Sequence, residues 1–392
     1  MPRHLSLLRT RSGHAHHRVT FVELFFDLIF VFAVTQLSHG LMAHFSPLGL
    51  LHTGMLMLAV WWVWIFTSWV TNWLDPEKLP VRGLLLAIML AGLVMSASLP
   101  EAFGARAWPF AISYVAMQVG RTLFMIWAMR GHHALERNAW RILVWLSGTG
   151  LLWLAGAASE GETRLLLWGA ALVIEYVSPS TGFWTPGLGR SSTADWDVEG
   201  GHLSERCALF IIIALGESIL VTGATFSDQA WDATTVAAFA STFIGSLAMW
   251  WLYFDTSAEA GSQTISHSDD PGRLARLAYT YLHLFLVAGI IVSAVGDELV
   301  LAHPLGHVGV TTSVSVLGGA GIYLLGNTLF KHAIMGRWQI SPLLGIAALI
   351  ALAAAAPVLT PLLLSILSSL VLCAVATWEA HVRRHCPEPT LG

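Results

Sequence analysis

Apolar stretches of membrane-crossing length follow one another along the whole chain, separated by short charged loops. A helix needs about 20 residues to cross the hydrocarbon of a bilayer. On that criterion the runs fall at 20–39, 48–72, 81–99, 108–130, 138–158, 164–178, 203–224, 232–255, 274–297, 306–330, 338–355 and 357–381. Residues are 55% hydrophobic and only 11% charged, where a soluble domain carries about 25% charged residues. More apolar surface is present than a soluble core can hide, so the expected fold is an all-α polytopic membrane protein with about twelve spans and the lipid bilayer as its solvent. Tryptophans such as Trp61, Trp62, Trp64, Trp69 and Trp73 suit the headgroup region, where an amphipathic ring is at home.

Charge placement sets an orientation. Taken alternately from the amino terminus, the loops hold Arg3, Arg9, Arg11 and Arg18; Lys78 and Arg82; Arg130, Arg137 and Arg141; Arg190; Arg273 and Arg276; Lys331 and Arg337; Arg383 and Arg384. The opposite loops hold only Arg106 and Arg164. Cytoplasmic loops collect Lys and Arg, so both termini are expected in the cytoplasm. The first 18 residues lack the small-residue cleavage site of a signal peptide.

An ordered set of internal matches suggests duplication. Segment 61–68, Trp-Trp-Val-Trp-Ile-Phe-Thr-Ser, matches 250–257, Trp-Trp-Leu-Tyr-Phe-Asp-Thr-Ser; segment 91–97 matches 288–294; Gly120–Phe124 matches Gly326–Phe330. Trp140 then falls against Trp338, Glu175 against Glu379, and Glu23 against Glu205. Two six-helix units, at 19–178 and 203–381, would be parallel repeats, because an even number of spans returns the chain to its starting side. Residues 1–18 and 382–392 form tails and 179–202 a cytoplasmic linker carrying Asp195, Asp197 and Glu199.

Acids inside spans carry the chemistry. Glu23 and Asp27 are four residues apart and share one helix face; an acid near the centre of a span costs about 2.5–3.5 kcal/mol on insertion scales. Glu217 lies twelve residues beyond Glu205, about 18 Å along a helix, so one of that pair is deep in the membrane. Ser204, Glu205 and Arg206 read as a capped, charged helix start. Arg121, inside the fourth span, is the expected partner of Asp27, Glu23 or Glu217; its counterpart is Asn327. His283 and Asp255 are candidates to extend a polar or proton-relay network, with interfacial positions as the alternative. The acids are not symmetric between repeats: Asp27 aligns with Leu209, and Glu217 with Thr35. Structural pairing of these charges competes with a functional role for each.

Other classes are excluded or weak. No basic block or stacking motif points to nucleic acid. Cys207, Cys373 and Cys386 form no CxxC pair, and no disulfide framework is expected. The His14, His16, His17 cluster and the His132–His133 pair lack carboxylate or thiol spacing, so neither metal nor cofactor is expected. Glycine-rich Gly318–Gly321 reads as a close-packing surface, and no catalytic motif indicates an enzyme.

The run from Val19 to His39, with Phe-Val-Glu-Leu-Phe-Phe-Asp-Leu and Phe-Ala-Val-Thr-Gln-Leu-Ser, closely resembles the opening of the bacterial low temperature requirement protein A family. His202–Leu220, with His-Leu-Ser-Glu-Arg and Leu-Gly-Glu-Ser, carries a second family-like stretch. The resemblance implies a multi-pass inner-membrane protein without an established activity, and marks Glu23, Asp27, Gln36, His39, His202, Glu205, Arg206, Gly216 and Glu217. A fainter likeness, Arg206 to Phe210, is to channels built from two six-helix repeats. Transport of a small solute or ion, coupled to protons through the buried acids, is the leading functional expectation; an ion channel, or a membrane-bound enzyme or sensor, is the alternative. The pathway residues expected are Glu23, Asp27, Gln36, Arg121, Glu205, Arg206, Glu217 and His283, and homo-oligomerisation is left open.

Overall fold

The structure, a computed structural model, describes residues 6–9, 18–193, 196, 198–255 and 257–385. Arg3, Arg11, His14, His16, His17, Asp195, Asp197, Thr256 and Cys386, all named above, lie outside the described residues.

The chain is a helical membrane protein: among the described residues there is no strand, only isolated bridges at Leu8–Leu74 and Thr185–Gly189. Its helices are α1 (Phe21–Ala43), α2 (Pro47–Trp73), α3 (Leu79–Ser98), α4 (Ala107–Ala128), α5 (His133–Ala157), α6 (Gly161–Val177), α7 (Gly200–Ser227) and α8 (Ala233–Phe254). They continue with α9 (Ala258–Ser266), α10 (Pro271–Leu274), α11 (His283–Ala302), α12 (Val310–Ser313), α13 (Gly319–Met335), α14 (Ile340–Ala355) and α15 (Pro361–His385). π-Helical turns at Ala275–Leu282 and Val314–Gly318 run α10 into α11 and α12 into α13. Among the described residues, ten helices are long and apolar enough to cross a membrane. Helices α5 and α6 are outside that set: α6 has 17 residues, and α5 opens on the polar sequence Glu136, Arg137 and Asn138.

Helix ends follow local chemistry. Ser46 accepts the Gly49 backbone N–H before α2, with Pro47 at the first helical position, where a missing N–H costs nothing. Asp232 accepts the Thr235 backbone N–H at 2.8 Å before α8, which holds its carboxyl below the usual range. Gly336, at φ 71°, ends α13 in the left-handed conformation.

Two compact units divide the chain: Met1–Arg206 with Ser268–Arg276, and Cys207–His267 with Leu277–Gly392. In the first, α1 packs on α2 and α3, and α3, α4, α5 and α6 pack in sequence. Trp61, Trp62, Trp64, Trp69 and Trp73 are buried in this unit. They form an aromatic interior, Trp61 against Trp64 and Trp62 stacked on Tyr176. The end of the presumed linker is also tied in, since Asn72 exchanges hydrogen bonds with the Glu199 backbone at 2.7 and 2.9 Å.

In the second unit α11 packs along α13, and α15 along α8. Lipid tails are as apolar as leucine, so helices here gain from close contact rather than from leaving water. Small residues permit that contact. A Cβ added to Gly289 would stand 2.5 Å from the Tyr323 backbone nitrogen, and one on Gly319 2.5 Å from that of Ser293. Gly321 faces nothing within 4 Å. Gly289→Val is therefore expected to destabilise the protein by about 1–3 kcal/mol through overpacking, whereas Gly321→Ala leaves the thermal midpoint of the detergent-purified protein unchanged or slightly raised. Equal midpoints for the two variants would contradict the packing described.

Candidate functional site

Helix α1 begins at Thr20, whose backbone N–H and hydroxyl both reach Glu23 Oε2 at 2.9 Å. One turn further, Asp27 faces the same side. Glu23 and Asp27 are both buried. The first turns of α7 bring His202 and Arg206, also buried, four residues apart on one face. The two faces meet: Arg206 Nη2 lies 2.7 Å from Asp27 Oδ1, and Nη1 lies 3.5 Å from Glu23 Oε1.

Three further groups complete the cluster. Trp64 Nε1 of α2 donates to Asp27 Oδ1 at 2.8 Å. Ser68, one turn on, accepts a longer contact of 3.3 Å from Arg206 Nη2. Arg9, from the segment before α1, reaches Glu23 Oε2 at 3.1 Å, anchored by its Nε on the Thr71 carbonyl at 2.7 Å. Its backbone is fastened to the end of α2, with Arg9 N–H donating to Trp73 O and Asp75 N–H donating to Leu7 O.

His202 sits between three groups. Asn72 Oδ1 accepts the Glu199 N–H, so its amide nitrogen faces both the Glu199 carbonyl and His202 Nδ1, the latter at 3.3 Å. His202 Nε2 lies 2.9 Å from Glu23 Oε1 and 3.0 Å from Arg9 Nη2. Two arginines, Arg9 and Arg206, face the two carboxylates. Pairing offsets the large cost of burying each charge, and the rings of Phe26 and Trp64, 5.7 Å from the Arg206 guanidinium, add cation–π attraction. The balance of charge is complete, but that of hydrogen bonds is not. Asp27 Oδ2 and Arg206 Nε and Nη1 are buried with no hydrogen-bond partner among the described residues.

The other expected residues have separate places. Arg121 is corrected: it meets neither Asp27 nor Glu23. Its guanidinium donates to the Val63 carbonyl at 3.1 Å, to Thr67 Oγ1 at 2.9 Å and to Gln118 Oε1, above the Phe66 ring. Gln118 continues to Tyr114, and Tyr114 to Glu175 at 2.5 Å, making a second buried polar chain in the first unit. Arg206, expected at a charged helix start, is instead fully buried because α7 begins six residues earlier, at Gly200. Glu205, half-buried, accepts the Val19 N–H at 3.1 Å. Gln36 is half-buried and His39 exposed.

In the second unit Glu217 is buried. His283 is buried between Tyr253 OH at 2.8 Å and the Ala278 carbonyl at 2.9 Å. Asp255 leaves that network and pairs with Arg383 at 2.6 Å. Lys331 is buried against Glu379, which also accepts from Ser341 at 3.1 Å. The sequence pattern does not single out Arg9 or His202 as partners of Glu23, nor does it point to Asp297, which accepts from Ser218 Oγ at 3.1 Å.

The sequence model of the family described as bacterial low temperature requirement A protein matches residues 18–377. An uncharacterized protein of Rhizobium meliloti (strain 1021) is 40% identical over 372 residues, covering 94% of this chain and 90% of the relative. No solved structure matches.

Removing one member of a buried charge pair costs about 3–5 kcal/mol, because the other is left uncompensated. Arg206→Gln is expected to lower the folded yield sharply, and Asp27→Asn combined with it to restore part of the loss, read as monodisperse protein by chromatography. A double variant no better than Arg206→Gln would break the proposed pairing.

Proposed function

The chain belongs to the bacterial low temperature requirement A family, and we propose that it acts as a secondary transporter of a small solute or ion, coupled to protons through its buried carboxylates. The observation that carries this reading is the half-satisfied cluster of Glu23, Asp27 and Arg206. A purely structural ion-pair network inside a membrane gains by satisfying every donor and acceptor. Here Asp27 Oδ2 and Arg206 Nε and Nη1 make no hydrogen bond among the described residues, and Nη1 has only its 3.5 Å ion-pair contact with Glu23. A site of this kind exchanges partners readily: a proton on Asp27 removes the charge that holds Arg206, and the guanidinium then takes a solute oxygen or Glu23 instead.

In this reading the chain crosses the inner membrane twelve times, α5 and α6 included, with both termini cytoplasmic and two parallel repeats of six helices. Equivalent contacts in the two units support the duplication. Arg121 donates to Val63 O in the first unit, and Asn327 lies 3.4 Å from Leu252 O in the second; both pairs are aligned positions. Trp64 and Tyr253, likewise aligned, each turn a ring donor to a buried titratable group, Asp27 in one case and His283 in the other. Parallel repeats place a pathway on the axis between halves in other transporters.

Proteoliposomes loaded with a pH-sensitive dye and challenged with pools of amino acids, sugars, organic anions and cations provide the test. A substrate is expected to drive an internal pH change that falls to background in Asp27→Asn and Glu217→Gln. Uptake indifferent to a pH gradient and unchanged in both variants would sink the coupling, and unitary single-channel currents would replace the carrier by a channel. Reporter fusions at each end are expected to give cytoplasmic signals only.

A further inference from the structure

Within the second unit, helices α8, α11, α13 and α15 line a small, partly open cavity of about 20 Å³. Its wall is unusually polar for the interior of an apolar bundle. Ser246 of α8, Ser293 and Asp297 of α11, and Ser365, Ser368 and Ser369 of α15 line it, with Val316 of the π-helical turn at one side. Ser293 and Asp297 are four residues apart and share a helix face. Ser218 of α7 donates to Asp297 Oδ2 at 3.1 Å and lies 3.2 Å from Ser246 Oγ.

Two of the six side chains are committed to the wall itself. Ser365 Oγ is 2.9 Å from Ser241 Oγ, and Ser369 Oγ donates to the Ser241 carbonyl at 2.9 Å. Ser293 differs. Its hydroxyl is buried, 6% exposed, opens on the same cavity as Asp297, and has no hydrogen-bond partner among the described residues. A buried hydroxyl without a partner costs about 1–3 kcal/mol, so its oxygen beside a carboxylate needs something to bind. The packing that creates the arrangement is specific: a Cβ on Gly296 would stand 2.9 Å from the Val316 nitrogen, and one on Gly245 2.9 Å from Ser369 Oγ.

We propose that this cavity is a binding site for one sodium ion, held by the Asp297 carboxylate and the hydroxyl oxygens of Ser246 and Ser293, with Ser218 positioning the carboxylate from behind. The donors are all hard oxygens, which suit alkali and alkaline-earth cations and not soft metals. A single carboxylate balances a single positive charge, whereas a divalent ion would carry an uncompensated charge into the span. The volume admits one particle about the size of a water molecule and no organic solute. Potassium is about as large as a water molecule and the volume admits it too, so the competition between the two ions below decides the assignment of sodium. Ser218 keeps a carboxylate oxygen in place by donating to Asp297 Oδ2 and lies 3.2 Å from Ser246 Oγ. The site stands apart from the cluster of the first unit and does not depend on the transport reading.

Full-length protein purified in detergent tests the assignment. Thermal midpoints are measured in sodium, potassium and choline chloride at equal ionic strength and over a range of pH, and ²²Na⁺ binding is measured by scintillation proximity. Sodium is expected to raise the midpoint saturably, above potassium and choline, with about one ion bound per chain by mass balance. Asp297→Asn is expected to abolish binding, and Ser293→Ala and Ser218→Ala to weaken it several-fold while the chromatographic profile stays that of the wild type. Should Asp297→Asn fail to fold, the two serine variants decide. Midpoints indifferent to the cation, equal stabilisation by potassium, stabilisation by acid alone, or sodium binding unchanged in both serine variants would each overturn the proposal.

Discussion

Everything in the first unit is arranged around the attraction of the Arg206 guanidinium for two carboxylates on α1. An isolated charge in the apolar interior of a bundle is too costly to keep, and so is an isolated pair with poor geometry. The sequence answers with a cluster in which each charged group meets an opposite one, and in which neutral groups such as Trp64 and Ser68 supply some of the remaining contacts. Trp64 and Ser68 lie one turn apart on α2, Glu23 and Asp27 one turn apart on α1, and His202 and Arg206 one turn apart on α7. Three helices thereby present matching rungs, and the spacing of four residues recurs because it is the spacing of one helical face.

Arg9 closes the cluster from outside the helices. By bonding the Thr71 carbonyl with one nitrogen and Glu23 with another, it uses an orphan acceptor in the last turn of α2 to steady the entry of α1. The polar residues thus do two jobs with one set of contacts: they neutralise the acids, and they fix how the preceding segment meets the bundle. The second unit solves a similar problem with different chemistry. Its buried groups are joined by neutral contacts, such as Tyr253 with His283, by an isolated ion pair, Lys331 with Glu379, and by glycine-mediated approach of α11 and α13.

Much of this was legible from residue order alone. Helical spans are written in runs of apolar residues, and Glu23 and Asp27 stand out because an acid inside such a run has few cheap explanations. The partner of those acids was not legible. Arg121 and Arg206 are equally plausible cations in one dimension, and only three-dimensional packing chooses between them; Arg121 found carbonyl and hydroxyl oxygens on α2, while α7 began early enough to carry Arg206 inward. Nor does residue order say which way the tryptophans face. An indole has an apolar body and one polar N–H, so it suits a headgroup layer and a buried carboxylate alike. Asp297 sits in a Gly-Asp-Glu-Leu sequence at the expected edge of a span, where an acid attracts no notice. The serines that face its cavity from other helices come from α8 and α15, a convergence that no local pattern announces.

The partners Asp27 and Arg206 are separated by 179 residues. At a ribosomal rate of about 5–20 residues per second, the acids of α1 emerge roughly 9–36 seconds before the guanidinium that neutralises them. During that interval five more helices are made, and α1 carries two acids with only Arg9 to answer them. The hairpin of α1 and α2 therefore has to be sheltered by the insertion machinery, or wait at the membrane surface, until α7 arrives. Assembly of this half of the protein is consequently a late event in its synthesis, timed by the arrival of a single side chain.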